Sequence, residues 1–339
     1  MKGRQIILDH LNGREAAALM VDGQLEDLLI DSDAPTPGTI YRGLVQRPMK
    51  GQGGLFVDTP DGQTFLRQSK GLSAGQTLLV QVTGHAEPGK AVPVTTRLLF
   101  KSRYAIVTPD APGINLSRQI KDDEERIRIL AAADTDRTEA LGFGLILRSA
   151  CAEAPGDDIA EDVAAMTDLA ATVCADRDGT PELLVQGDAP HVRAWRDWTD
   201  PADVVTEPGG FDRCGVLDAL DQLRDARVPL AGGGHAFVEP TRALVAVDVN
   251  TGGDSSFAAG LKANLALARD LPRQLRLRGL GGQIVLDLAP MAKKDRRGFE
   301  TALRAAFRGD SEDTVLAGWT PLGHFELQRK RGRPPIDLT

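Results

Sequence analysis

Leu244–Asn250 reads LVAVDVN and Gln283–Asp287 reads QIVLD. Each is an apolar, β-branched run closing on an aspartate, the pattern of a buried parallel strand that carries a carboxylate to the end of a sheet. The stretch between them is long enough for one helix, near 257–277. A second helix near 295–308 follows, then strands near 314–317 and 323–329. This alternation predicts a doubly wound α/β subdomain over the last hundred residues. In such sheets ligands sit at the carboxyl ends of the strands, where Asp248 and Asp287 both fall. Asn250 stands two residues beyond the first. Two carboxylates and an amide are hard oxygen ligands suited to Mg²⁺ or Mn²⁺. Metal-assisted hydrolysis of a phosphate ester is the chemistry that set serves. Either strand alone is a weak signal, because apolar strands ending in Asp are common in α/β proteins; the pair is more specific.

Charge points the same way. Arg269, Arg273, Arg276 and Arg278 lie on the predicted long helix and its exit, and Lys293, Lys294, Arg296 and Arg297 follow the second aspartate. Residues 260–310 hold eleven Lys and Arg against five Asp and Glu, a net +6. Such a cluster suits phosphate-backbone contacts that weaken with salt. The whole chain is acidic, at −8, but residues 233–339 carry +4 (sixteen cations, twelve carboxylates). A local basic face attracts phosphates on an acidic protein; the blander reading is that these charges solvate helices.

At 339 residues the chain is long enough for two or more domains. Its 42% hydrophobic content and mean hydropathy of −0.20 are ordinary for a globular protein. No run of apolar residues reaches the length of a membrane span, and the start, MKGRQIILDHLNGRE, turns charged too soon for a signal peptide. A cytoplasmic location is therefore expected, with no membrane partner. Cys151, Cys174 and Cys214 are widely spaced and form no CxxC pair, so buried thiols are expected in place of a zinc site or disulfides.

Toward the amino terminus, Gln5–Leu8, Glu15–Val21 and Leu25–Ile30 read as a small β meander with Asp22-Gly23 as a turn. Residues 38–96 break into five short strands separated by Gly, Pro and Asp, which predicts a small closed barrel of the oligonucleotide-binding type. Such barrels bind single strands through aromatic and basic side chains on one face. Phe56, Phe65 and Lys90 are candidates, although two phenylalanines in a barrel are by themselves more simply read as core. Residues 99–188 read as α/β: helices over Lys121–Ala133 and Asp157–Cys174, strands at Gly144–Leu147 and Glu182–Val185, and a helix at Pro190–Trp198 beyond them. Residues 199–215 are turn-rich and read as a boundary, Val216–Arg227 as a helix and Leu230–Gly234 as a Gly-rich link.

Long collinear segments carry a resemblance: GTIYRGLV, LFVD, GFGLILRSA, AVDVN, PRQLRLRGLGGQIVLDLAPM and LGHFELQRKRGRPP. Together they resemble the catalytic half of the ribonuclease E/G family of bacterial endoribonucleases, over nearly the whole chain. The resemblance implies an α/β multi-subdomain fold. An S1 barrel (37–98) and a 5′-sensor region (99–188) would interrupt an RNase H-like part (1–36 and 189–232), and a DNase I-like catalytic subdomain (233–339) would follow. It implies that Asp248 and Asp287 hold Mg²⁺ while Asn250 orients the site. It places Phe56, Phe65 and Lys90 on the RNA-binding face and puts a 5′-phosphate sensor at Arg148 and Ser149; Arg273, Arg276 and Lys293 of the basic cluster are the further expected RNA contacts. The implied substrate is single-stranded RNA. The chain departs from the family in three ways. It has no cysteine beyond Cys214 for the zinc link between protomers, so no structural zinc is expected and a homodimer would form without that link. Ser102 and Thr314 stand where a glycine and an arginine are usual. The barrel and the region 199–232 are shorter. A non-catalytic RNA-binding relative is the alternative reading.

Overall fold

The computed structural model describes residues 3–47, 53–67, 70–87 and 89–336. The chain divides into two compact units, Met1–Ile30 with Ala202–Thr339, and Asp31–Pro201. Among the described residues no helix is long and apolar enough to cross a membrane.

The first unit opens with three antiparallel strands, Arg4–Leu11, Arg14–Val21 and Gln24–Ile30. The turns between them are Asn12-Gly13 and Asp22-Gly23, and all four residues have positive φ. Two-residue hairpins need that handedness to match strand twist, and Asn, Asp and Gly reach it at least cost. A short strand, Asp203–Val205, adds parallel to the first, and the helix Gly210–Arg213 follows. Residues 199–215 are thus built into the fold and are not only a boundary. A three-residue strand is too short to show a periodic pattern. The next helix spans Val216–Leu223, ending before Arg227, which opens the strand Arg227–Pro229. The supposed link 230–234 is the turn that leads from this strand into His235–Pro240. It is closed by bonds from Leu230 N–H to Gly234 (2.9 Å) and from Gly233 N–H to Leu230 (3.3 Å).

The rest of this unit is a six-stranded sheet. Its spatial order is Arg227–Pro229, His235–Pro240, Val245–Asn250, Gly282–Asp287, Phe325–Arg329, Thr314–Trp319. Only the Val245–Asn250 and Gly282–Asp287 strands run parallel; the other neighbours are antiparallel. The helices Phe257–Leu277 and Arg296–Arg308 share one apolar core with Val245, Val247, Val249, Ile284 and Leu286. The intervening residues Ala246, Asp248, Asn250, Gln283, Val285 and Asp287 are half-buried or exposed. The doubly wound expectation is therefore corrected: among the described residues the helices cover one face of the sheet. Half-exposed Ala246 and Val285 disguise a period-two pattern as a continuous apolar run.

In the second unit, Ile40–Val45, Leu55–Thr59, Gly62–Leu66, Thr77–Val82 and Val92–Thr95 close into the predicted five-stranded barrel, the ring completed by pairing of the first strand with the fourth. Tyr41, Leu55, Val57, Leu66 and Val80 fill it. The strand Glu182–Val185 pairs onto its edge. A four-stranded sheet built on Ala105–Thr108 and Gly144–Leu147 shares a second core with residues of the helices Asp123–Ala132 and Gly156–Ala175.

Candidate functional site

Asp248 and Asp287 are directly paired across the parallel ladder of the six-stranded sheet. Registered neighbours in a sheet have Cα atoms about 4.8 Å apart and project from the same face. Two carboxylates are thus held side by side on the face the helices leave open, and like charges so placed destabilise a sheet. Among the described residues neither has a Lys or Arg within ion-pair distance. Asn250 donates its amide N–H to Asp248 Oδ2 at 2.7 Å, fixing that carboxylate. His324 Nδ1 lies 3.3 Å from Asp287 Oδ1 and makes no hydrogen bond of its own. No group of three or more His, Cys, Asp or Glu side chains gathers for a metal among the described residues. Two uncompensated carboxylates suit a divalent cation such as Mg²⁺, which keeps most of its ligands as water or substrate oxygens and takes one or two carboxylates from the protein.

The support beneath the pair was not read from the sequence. Asn264, on the long helix, is fully buried. Its amide donates to the Ala289 carbonyl (2.8 Å) and its oxygen accepts from the Ala289 N–H (3.0 Å). That clamps the loop leaving Asp287. One turn earlier Gly260 meets the same loop, where a Cβ would lie 1.9 Å from the Pro290 carbonyl oxygen. His324 was also missed; its only sequence signal is its place directly before the Phe325–Arg329 strand, which puts it beside Asp287.

In the barrel, Phe56 and Phe65 face each other across neighbouring strands with ring centroids 5.6 Å apart in an edge-on arrangement. Both are half-buried, while Leu55, Val57 and Leu66 beside them point into the core. Gly54 leaves room for the second ring: a Cβ there would lie 2.5 Å from the Phe65 Cζ. Lys90 is exposed, paired with Glu87 at 2.7 Å, and stands two residues before the strand that runs beside Phe65.

The other sites read from sequence are differently placed. Lys293 is exposed on a short 3₁₀ turn after the Asp287 strand, with no ion-pair partner among the described residues. Arg273 is held by Asp270 (2.6 Å) and by the Leu25 carbonyl (2.9 Å). Arg276 is almost buried and bridges Glu26 and Asp310, each at 2.6 Å. These two guanidiniums brace the first unit internally, and the Arg276 side chain is 9% exposed. Arg148 is likewise engaged. One of its nitrogens donates to the carbonyls of Ser102, Arg103 and Arg196, and the other to Asp197 at 3.0 Å. Ser149 opens the 3₁₀ turn Ser149–Cys151 directly after it.

A closed oligonucleotide-binding-type barrel and a sheet-borne carboxylate pair thus occur in one mixed α/β chain. The sequence matches the profile of the Ribonuclease E/G family over residues 100–207 and 203–332, and the chain belongs to that family. Individual relatives are similar over nearly all of it. Ribonuclease E of Nostoc sp. is 28% identical over 97% of this chain and 56% of its own length. Ribonuclease E of Synechocystis sp. is 29% identical over 94% of the chain and 55% of its own length. Ribonuclease G of Salmonella typhimurium is 27% identical over 98% of the chain and 81% of its own length. The chain therefore spans a little over half the length of the two cyanobacterial relatives. The Nostoc alignment runs over 386 positions, more than the 339 residues of this chain, so the relative carries insertions that the chain lacks.

Proposed function

We propose that this chain is a Mg²⁺-dependent endoribonuclease that hydrolyses phosphodiester bonds of single-stranded RNA in RNA processing or decay. The observation that carries this reading is the registered pair Asp248–Asp287, two adjacent carboxylates with no Lys or Arg within ion-pair distance among the described residues. In this reading Asp248 and Asp287 hold Mg²⁺ (or Mn²⁺), which when bound polarises a phosphoryl oxygen and lowers the pKa of water. Asn250 keeps Asp248 in its orientation. His324 stands beside Asp287, its Nδ1 3.3 Å from that carboxylate. Phe56 and Phe65 offer ring surface to unpaired bases, with Lys90 and Lys293 near the backbone phosphates. The barrel is read as an S1 domain inserted in an RNase H-like part, the six-stranded sheet as DNase I-like. The protein would work in the cytoplasm, and as a homodimer.

The test is cleavage of an A/U-rich oligonucleotide with and without divalent cation. Asp248→Asn and Asp287→Asn should each lower the rate at least about 100-fold, from the several kcal/mol that a polarising cation contributes. Wild-type protein as inert as both variants, yet still binding the oligonucleotide, would select the non-catalytic RNA-binding reading instead.

A further inference from the structure

The open face of the six-stranded sheet carries a row of side chains in register with the carboxylate pair. Phe237 is paired with Asp248 across one antiparallel ladder, and Arg227, on the edge strand, is paired with Phe237 across the next. Registered partners project from the same face, on strands about 4.8 Å apart. Ala236 and Val238, on either side of Phe237, are buried in the core shared with the helices, so the ring between them lies half-buried on the opposite face. His235, registered with Asn250, packs against that ring, the centroids 5.3 Å apart and the planes at 87°. This edge-to-face contact holds the Phe237 ring in one orientation. Arg227 is exposed and has no ion-pair partner among the described residues.

Crossing the sheet from the pair, the row reads two carboxylates, an aromatic ring and a guanidinium, each one strand beyond the last. We propose that RNA crosses the sheet along this row: the base adjoining the scissile phosphate stacks on Phe237, and the next phosphate meets Arg227. Phe237 is then a substrate-positioning residue. This rests on the reading of the carboxylate pair as the site that cuts RNA. A phosphodiester held over Asp248 and Asp287 brings the bases of its two nucleotides beside them, where a ring one strand away is within reach. Every base has a π-face, so one ring serves any sequence, and a guanidinium suits a phosphate. On the Asp287 side the row continues to His324 and Thr320, with no Lys or Arg in register, which sets the direction of the path.

The test is binding of an A/U-rich RNA decamer, and of ten versions that each lack one base, in Ca²⁺ over a time in which a gel shows the strands intact. Wild type should lose about tenfold in affinity when the base at one particular position is missing. Phe237→Leu, which keeps apolar bulk, should bind the complete strand about tenfold more weakly and lose nothing further at that position, while its losses elsewhere match those of wild type. Phe237→Tyr, which keeps the ring, should recover the affinity. Arg227→Gln should lower the slope of log affinity against log salt by about 0.7, the share of one phosphate on a single strand. A folded Phe237→Leu protein that binds the complete strand as wild type does overturns the proposal. So does one that is weakened equally on all eleven strands, the mark of a general structural loss. Should Phe237→Leu fail to fold, Arg227→Gln decides: a lowered slope supports the path and an unchanged slope sinks it. Wild type that binds none of the strands removes the RNA reading itself, a result distinct from any of these.

Discussion

Asn264 shows how much of the site rests on one buried side chain. Its amide satisfies both the N–H and the carbonyl of Ala289, two residues after Asp287. Asn264→Ala would strand both groups at about 1–3 kcal/mol each. It should lower the melting temperature and, with it, divalent-dependent cleavage. Asn264→Asp should restore part of the melting temperature, because its oxygens still accept from the Ala289 N–H. Gly260→Ala acts on the same loop by contact. The would-be Cβ overlaps a backbone carbonyl, so either helix or loop must move, and a displacement of 1 Å at a reacting centre costs on the order of 100-fold in rate. Activity falling much further than stability in Gly260→Ala is the expected signature. Neither residue was legible as part of a site. A polar residue and a glycine inside an amphipathic helix look like tolerated exceptions until the loop they touch is known.

At the scale of elements, the barrel separates two kinds of apolar residue that alternate along one strand. Leu55 and Val57 face inward while Phe56 between them lies half-buried on the outer surface. Leu55→Ala should cost about 2–5 kcal/mol of stability and leave the affinity of the folded fraction unchanged. Phe56→Ala or Phe65→Ala should do the reverse, weakening single-stranded RNA binding by about 1–3 kcal/mol with a small change in melting temperature. Thermal melts paired with oligonucleotide titrations separate the two, and equal stability losses would return the phenylalanines to the core. The barrel itself was legible, since five short strands with turn residues between them have few ways to close. Which face each phenylalanine takes was not, because phenylalanine suits either side of a pleat. The carboxylate sheet misled in a related way: Ala246 and Val285 made two half-buried strands read as fully buried, and so predicted helices on both faces.

Across the first unit, a buried ionic network joins the opening hairpins to the last strand. Arg329 and Asp310 are essentially unexposed, Arg276 links Asp310 to Glu26, and Arg333 binds Asp27. Removing one partner leaves uncompensated charge, so Asp310→Ala should destabilise this unit by about 3–5 kcal/mol. Asp27 adds a pH dependence. Burial would raise its carboxyl, but the Arg333 charge and hydrogen bond together with Arg276 lower it overall. A carboxyl lowered on folding contributes stability that is present above the ordinary aspartate value of about 4 and is lost as the pH falls through the folded value. Melting temperature should therefore drop on acidification from pH 5 toward pH 3, and less steeply in Asp27→Asn. A parallel drop in both proteins would remove Asp27 from the account.

The sequence by itself determined most of the longer elements: alternation and turn dipeptides set the opening hairpins, the barrel strands and the two aspartate-bearing strands, because those signals are local. It also determined the family, through long collinear segments. Only the tertiary structure decided which residues meet. Registration puts Asp248 beside Asp287, and His324 lies beside Asp287, while Arg276, read as a phosphate contact from its charge, and Arg148, placed in a sensor by the resemblance, pair with Asp310 and Asp197. A guanidinium carries the same charge in either role, and whether a carboxylate of the same chain already lies within reach depends on contacts across dozens to hundreds of residues, which no local pattern records.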